Sequence, residues 1–308
     1  FRLRTSSKIH ICRRKPRSYS MDAATTATAE EEVTRLEDLP ESCVAHVLAL
    51  TSPRDACRFA AVSPSFREAA ESDAVWDRFL PPDCRAILLR CCSGRPPPLS
   101  SKKDAYLRLS DGAVLVDDGD TAVWLARGSG AKCVALSARK LSLPWDDGEF
   151  SWRWTAHPRS RFAEVALLVH CTSLDIYGRL PAAALTPGTD YAAYLVFDVA
   201  DEGHRGLSFP DQETTVAVGG RAASRHAVCL RPDDDEACKF RGVARADGDD
   251  GVRRPARRED RWWEMEMGRV RIDEAMAVKE EEVMVTFEVL EWYPKRGLIV
   301  EAVEFRPV

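Results

Sequence analysis

Ten cysteines and six histidines are the side chains of this 308-residue chain best suited to nucleophilic or metal chemistry, and their spacing supports neither. The sequence holds no Cys-x-x-Cys pair and no His-x-x-x-His, so the common tetrahedral zinc clamps lack their ligands. Cys91 and Cys92 are adjacent, a poor geometry for a clamp or an ordinary disulfide. Cys43 and Cys57 fall on or near apolar helix faces, and Cys133, Cys171 and Cys229 fall in strand-like runs. Reduced, buried thiols of this kind suit a protein of the cytoplasm or nucleus. His46 and His157 each stand alone, with no serine or cysteine nucleophile arranged nearby. There is no phosphate-binding glycine loop and no paired acid–base signature. The expectation is a non-catalytic protein with no cofactor and no bound metal.

The elements that must position any site begin with a dense run of helix starts. Pro40 opens the first, where its missing N–H costs nothing, and Val44, Val47 and Leu48 follow at helical spacing. Ser52-Pro53 supplies a hydroxyl N-cap and a first-turn proline, with Asp55 at the positive end of the helix dipole; Ser63-Pro64 repeats the device. Two such breaks force short helices crossing steeply, since a capped Ser-Pro does not sit inside a continuous helix. A unit this small buries few of its own side chains and leaves apolar surface in need of a partner. Spacing alone fits an ordinary three-helix subdomain equally well.

The stretch from Leu39 to Leu80 resembles an F-box, the helical module that docks on the Skp-type adaptor of cullin-based ubiquitin ligases. Leu39-Pro40, Val47-Leu48, Arg58-Phe59, Val62-Ser63 and Phe66-Arg67 carry the resemblance, with Val75, Trp76 and Phe79 resembling the closing helix. It implies an adaptor, and through it a cullin, as partners. Leu39, Pro40, Val44, Val47, Leu48, Val62 and Phe66 are then the expected apolar contacts.

Charge and composition bound the rest. An apolar fraction of 45% and a charged fraction of 30% are those of a folded globular chain, and a net charge of −5 gives no polyanion-binding signature. No apolar run approaches the ~20 residues of a membrane-spanning helix. Neither nucleic acid nor membrane is therefore expected as a partner. Residues 1–35 read as an unstructured basic leader followed by an Ala/Thr/Glu-rich segment, with Met21 resembling a natural start. The reading continues with a helical domain over 36–92, including a short helix at Cys84–Cys92. A proline-marked linker with a brief helix at Lys102–Ser110 follows over 93–116, and a β domain over 117–308.

In that β half, Val123–Leu125, Cys133–Leu136, Leu174–Gly178, Tyr191–Val199, Thr214–Val218, Ala227–Leu230, Trp262–Met267, Val283–Val289 and Leu298–Phe305 read as strands. Period-two alternation puts Val283, Val285, Phe287 and Val289 on one face. Phe162–Val169 reads as a helix packing outside, and residues 231–261, charged and glycine-rich, as a mobile loop. The fold class expected is α + β in two domains: a small N-terminal all-α module, then an antiparallel β-sandwich of jelly-roll type.

From about Asp117 to Val308 the chain resembles the phloem protein 2 family, plant lectins of the tobacco-agglutinin type. The residues that match are Leu136–Ser142, Trp145, Trp152-Arg153-Trp154, Ser160–Ala166, Leu174–Gly178, Tyr191–Phe197, Trp263–Gly268, Gly297–Val300 and Phe305-Arg306-Pro307. The resemblance implies a sugar site in which Trp145 and Trp152 are platforms for the apolar face of a pyranose, and Glu281 and Glu288 accept its hydroxyls. One departure is the loop between the two tryptophans, Asp146-Asp147-Gly148-Glu149-Phe150-Ser151, where the family has a polar, aromatic run. Trp124, Trp154 and Trp263 are expected in the core. Three readings follow. The first is a ubiquitin-ligase receptor for glycoproteins bearing N-glycan or N-acetylglucosamine-type sugars. The second is a lectin-fold protein-interaction module that no longer binds sugar. The third, a glycosidase, needs two facing carboxylates, whereas Glu281 and Glu288 are an odd number of positions apart and alternate across a strand.

Overall fold

The computed structural model describes residues 38–91, 100–144, 151–208, 212–232, 251–289 and 291–308. The leader and Ala/Thr/Glu-rich segment over 1–35 lie outside these, as do residues 93–99 of the linker, Trp145 with most of its loop, and residues 233–250. Residues 39–308 form one compact unit.

The N-terminal helices are α1 (Glu41–Ala49), α2 (Pro53–Phe59), α3 (Pro64–Glu71), α4 (Asp73–Phe79) and α5 (Cys84–Leu89). Both Ser-Pro breaks do what their chemistry dictates. The Ser52 hydroxyl accepts from the Asp55 amide at 3.2 Å, and that of Ser63 from the Phe66 amide at 3.3 Å, with Pro53 and Pro64 in the first turns. Trp76 fastens the bundle: it is fully buried, its Nε1 donates to the Ala70 carbonyl at 2.7 Å, and its ring lies 5.1 Å from that of Tyr106.

Tyr106 belongs to α6 (Lys102–Asp111), the brief helix expected in the linker. The linker reading fails for residues 100–116. Leu109, Val114 and Val116 share a hydrophobic cluster with Leu48, Trp76 and Leu125, so α6 and the first strand pack into the helical core. The helical module and the sandwich are therefore continuous rather than strung on a tether. A further pin is Lys132, whose Nζ donates to Asp83 at 2.9 Å and to the Ala183 carbonyl at 3.1 Å.

The sandwich has two antiparallel sheets. The larger is ordered β1 (Val114–Val116), β2 (Thr121–Leu125), β3 (Lys132–Ser137), β13 (Leu298–Pro307), β7 (Thr189–Val199), β11 (Trp263–Ile272) and β10 (Ala256–Arg257). Strand β5 (Val165–Leu168) also pairs with β13 and carries β4 (Trp152–Thr155). The smaller sheet runs β6 (Leu174–Pro181), β12 (Glu282–Val289), β8 (Gln212–Val218) and β9 (Arg221–Val228). A short helix, α7 (Glu274–Val278), precedes β12. Val283, Val285, Phe287 and Val289 point into the shared core, as their alternation predicts.

Four expectations are corrected. Phe162–Val169 is not an outer helix: Val165–Leu168 is strand β5, and Phe162 is buried with Trp262 on the outer face of the larger sheet. Residues 251–261 of the supposed mobile loop are tied down. Arg253 bridges to Val228, Arg257 meets Asp198 at 3.4 Å, and Arg258 meets Glu304 at 3.0 Å. The strand expected at Ala227–Leu230 starts earlier, at Arg221. Trp262 is the core tryptophan of its pair, while Trp263, Trp124 and Trp154 are half-buried.

Leu109→Ala removes a fully buried side chain from the cluster that joins helices to strands. It should lower unfolding free energy in urea by about 2–5 kcal/mol while keeping a single transition. The thiols should also sort by burial, which pushes Cys133 up to about 12 and Cys171 up to about 11. Mass mapping after iodoacetamide treatment at pH 8 should find Cys43 and Cys57, both exposed, labelled well before Cys133, Cys171 and Cys229.

Candidate functional site

On the helical module the seven anticipated contacts divide. Val44, Leu48 and Phe66 are at most 5% exposed and build the module's own core. They are unavailable to a partner, because Val44 and Leu48 occupy the inward stripe of α1 and Phe66 that of α3. Leu39, Pro40, Val47 and Val62 are exposed, Val47 by 48% and Val62 by 67%. Sequence reasoning missed Leu50, 69% exposed. Its spacing was the signal: positions 40, 43, 47 and 50 follow one side of a helix.

In the sandwich, the two sheets offer different outer faces. That of the larger sheet is covered. Phe162 and Trp262 pack on Val196 and Ala302, and arginines close over buried carboxylates: Arg258 and Arg306 reach Glu304 at 3.0 and 3.7 Å, and Arg161 reaches Glu301 at 3.7 Å and also pairs with Glu304.

The outer face of the smaller sheet is polar and banded by register. Asp175, Glu288 and Glu213 stand directly opposite one another across β6, β12 and β8. The next row is Tyr177, Thr286 and Thr215, and beyond it lie Arg179, Met284 and Ala217. The Tyr177 hydroxyl donates to Glu288 Oε1 at 3.2 Å. Burial first, then the charges of Asp175 and Glu288, pushes the Tyr177 phenol up, so it stays protonated and keeps donating at neutral pH. Arg225 satisfies Glu213 at 2.9 Å. Chemically, the face presents carboxylate and hydroxyl acceptors beside an aromatic ring. Tyr177 and Asp175 went unnoticed in the sequence, although alternation in Leu174-Asp175-Ile176-Tyr177 marks both as outward-facing.

The four residues implied for sugar binding are not brought together. Glu288 lies on this open face. Glu281 precedes β12 at its opposite end, its carboxylate against Gly219 in the β8–β9 turn, and seven residues of strand separate the two by about 23 Å. Trp152 is only 3% exposed, packed in the inter-sheet core, and cannot be a platform. Its Nε1 donates to the Pro144 carbonyl at 2.9 Å and so fixes the base of the loop that follows. Trp145, on that loop, lies outside the described residues. The loop base is close to the polar face: Ser142, two residues before Pro144, exchanges backbone hydrogen bonds with Tyr177.

Residues 131–307 match the family described as Phloem protein 2, and residues 36–81 match the one described as F-box-like. Among curated proteins of Arabidopsis thaliana, the chain is 34% identical to putative F-box protein PP2-B8, over 89% of this chain and 88% of that one. It is 35% identical to putative F-box protein PP2-B2, over 88% of this chain and 83% of that one. Among solved structures, a family 35 carbohydrate binding module from Clostridium thermocellum overlays with a TM-score of 0.31 at 9% identity, over 57% of this chain and 98% of that one.

The burial of Trp152 turns its substitution into a stability experiment. Trp152→Ala should cost about 3–5 kcal/mol in chemical denaturation, whereas Trp152→Phe, which keeps most of the core volume and loses the Pro144 bond, should cost markedly less. Equal stability of Trp152→Ala and the parent would overturn the core assignment.

Proposed function

This chain belongs to the phloem protein 2 family, carrying an F-box-like module ahead of that domain, and from this premise we propose that it is the target-receptor subunit of a Skp–cullin–F-box ubiquitin ligase, with a glycan-bearing protein as its target. The observation that carries the reading is the division of the helical module's apolar residues. Val44, Leu48 and Phe66 satisfy the module from within, and Leu39, Pro40, Val47, Leu50 and Val62 remain exposed on it. Removing a Val or Leu of this kind from water contributes about 1.5–3 kcal/mol, so a handful supplies the centre of an adaptor interface. Ubiquitin transfer itself then falls to other subunits, and this chain contributes position. An adaptor complex of this type operates in the cytoplasm or nucleus, in keeping with the free thiols of the described residues.

The target-binding part of the proposal rests on the outer face of β6, β12 and β8. Glu288, already aligned by Tyr177, accepts sugar hydroxyls; Asp175 and the half-buried Thr215 extend the polar surface, while Thr286 between them is buried. Trp145, implied as the apolar platform by the family resemblance, lies outside the described residues, and Trp152 fixes the chain at Pro144 before it. Glu281 has no part in this site. A second reading is favoured by one observation: of the four implied sugar residues, one is core and another is about 23 Å from Glu288. On that reading the same face binds protein rather than sugar.

Val47→Glu combined with Val62→Glu should abolish co-purification with a plant Skp-type adaptor while the circular dichroism spectrum stays unchanged. Retained adaptor binding by this folded variant would sink the receptor role. On a glycan array, Glu288→Gln should reduce signal roughly tenfold through loss of a charged acceptor. A parent protein silent on the array but still capturing a target protein would favour the second reading.

A further inference from the structure

The smaller sheet is longer at one edge than its four strands. Beyond β6, Ser142 adds a further bridge: its amide donates to the Tyr177 carbonyl at 2.8 Å and the Tyr177 amide donates back at 3.0 Å. The approach is close because residue 178 is glycine; a Cβ there would stand 3.2 Å from Leu141 Cδ2 and 3.1 Å from Val285 Cγ2. The bridge is isolated, and just before it Lys140 closes the short 3-10 turn Ala138–Lys140, while Arg179 follows Tyr177 on β6. Lys140, Ser142, Tyr177 and Arg179 line a cavity of about 530 Å³.

Charge sets this corner apart. Several surface arginines are matched to carboxylates, among them Arg139 to Glu164, Arg225 to Glu213, Arg269 to Glu266 and Arg271 to Asp190; here two unmatched cations line one cavity. Lys140 and Arg179 are exposed and form no ion pair among the described residues. Asp117, whose carboxylate Lys140 influences at longer range, is bonded to Arg90. Across from Arg179 on β12 stands Met284, an uncharged neighbour. Like charges brought to one spot are unfavourable for folding. Two unmatched cations on the wall of one cavity, with a hydroxyl from Ser142, make a receptor for an oxyanion. A guanidinium offers the forked donors that carboxylate, sulfate and phosphate groups accept, and an ammonium adds a mobile donor.

We propose that the Lys140–Ser142–Tyr177–Arg179 cavity is an oxyanion subsite beside the Glu288 face, and that the preferred ligand is an acidic glycan, a sugar bearing a sulfate, phosphate or uronate group. This rests on the sugar reading of that face and narrows it. Tyr177 joins the two parts: its hydroxyl is spent on Glu288, while its ring forms part of the cavity wall. A sugar whose hydroxyls meet Glu288 and the edge of the Tyr177 row directs an acidic substituent one strand row away, to Arg179 and Lys140.

The test is calorimetric titration of the full chain with N-acetylglucosamine, N-acetylglucosamine 6-sulfate, a glucuronate-containing disaccharide and inorganic sulfate. Each is repeated with Arg179→Gln and with the Lys140→Gln, Arg179→Gln pair, substitutions at exposed positions whose folding is checked by circular dichroism. The sulfated sugar should bind roughly tenfold more tightly than the neutral one. That advantage should vanish in the double variant and shrink with rising salt, while neutral-sugar affinity is unchanged. The glucuronate arm reports which oxyanion is preferred. Neutral sugar binding with no gain from sulfate would overturn the subsite and leave the sugar reading intact. Inorganic sulfate binding that is lost in the double variant, with no sugar bound, would keep the anion site and overturn the sugar reading. Binding of none of the four would overturn both.

Discussion

Two carboxylates buried in the middle of the larger sheet govern much of this structure. Glu301 and Glu304 lie on β13, each 1% exposed, where an ion without counter-charge would be prohibitively costly. Arg161, Arg258 and Arg306 provide the counter-charge, and the Arg161 backbone amide also donates to Glu301 at 3.0 Å. Burial still pushes the Glu301 carboxyl above its usual range, against the pull of Arg161. The clamp fixes two segments remote in sequence, around residues 159–162 and 257–262, and their Phe162 and Trp262 side chains seal the outer face of this sheet. With that face closed, the outer face of β6, β12 and β8 is the open sheet face of the sandwich.

The helical module obeys a similar economy on a smaller scale. Short capped helices have too few inward positions to hide every apolar residue they carry, so their amphipathic pattern yields both a core and a remainder. Trp76 and the packing of α6 settle which is which. They hold α4 against the strands and turn the stripe from Pro40 to Leu50 to the outside.

Local signals made part of this legible from the sequence. The Ser52 and Ser63 caps, the first-turn prolines and the alternation of β12 depend on neighbours a few residues away, and all were anticipated. The errors lie where distant partners decide. Residues 162–169 have an apolar pattern that suits a helix or a short strand, and only pairing with β13 selects the strand. The arginines of 253–258 resemble those of a solvated loop unless one knows that Glu264, Glu266 and Glu304 await them. Trp152 was misassigned because a tryptophan beside a turn reads alike whether it faces a ligand or anchors the turn. Glu281 was misassigned because spacing along a strand does not reveal that its far end lies against another hairpin. Lys140 and Arg179 are 39 positions apart and meet only through the Ser142–Tyr177 bridge.

The continuity of helices and strands has a geometric consequence. Since α6, β1 and β2 share one hydrophobic cluster with the helices, and Lys132 is locked to Asp83, the exposed helical stripe and the open sheet face keep a constant bearing to each other. Within residues 39–308 the two surfaces share one packed frame. On the proposed receptor reading, an adaptor on the helices and a ligand on the sheet would be held by one packed unit. On that reading, the groups of a target that come within range of attached machinery would be chosen by their position in space, before chemistry has a say.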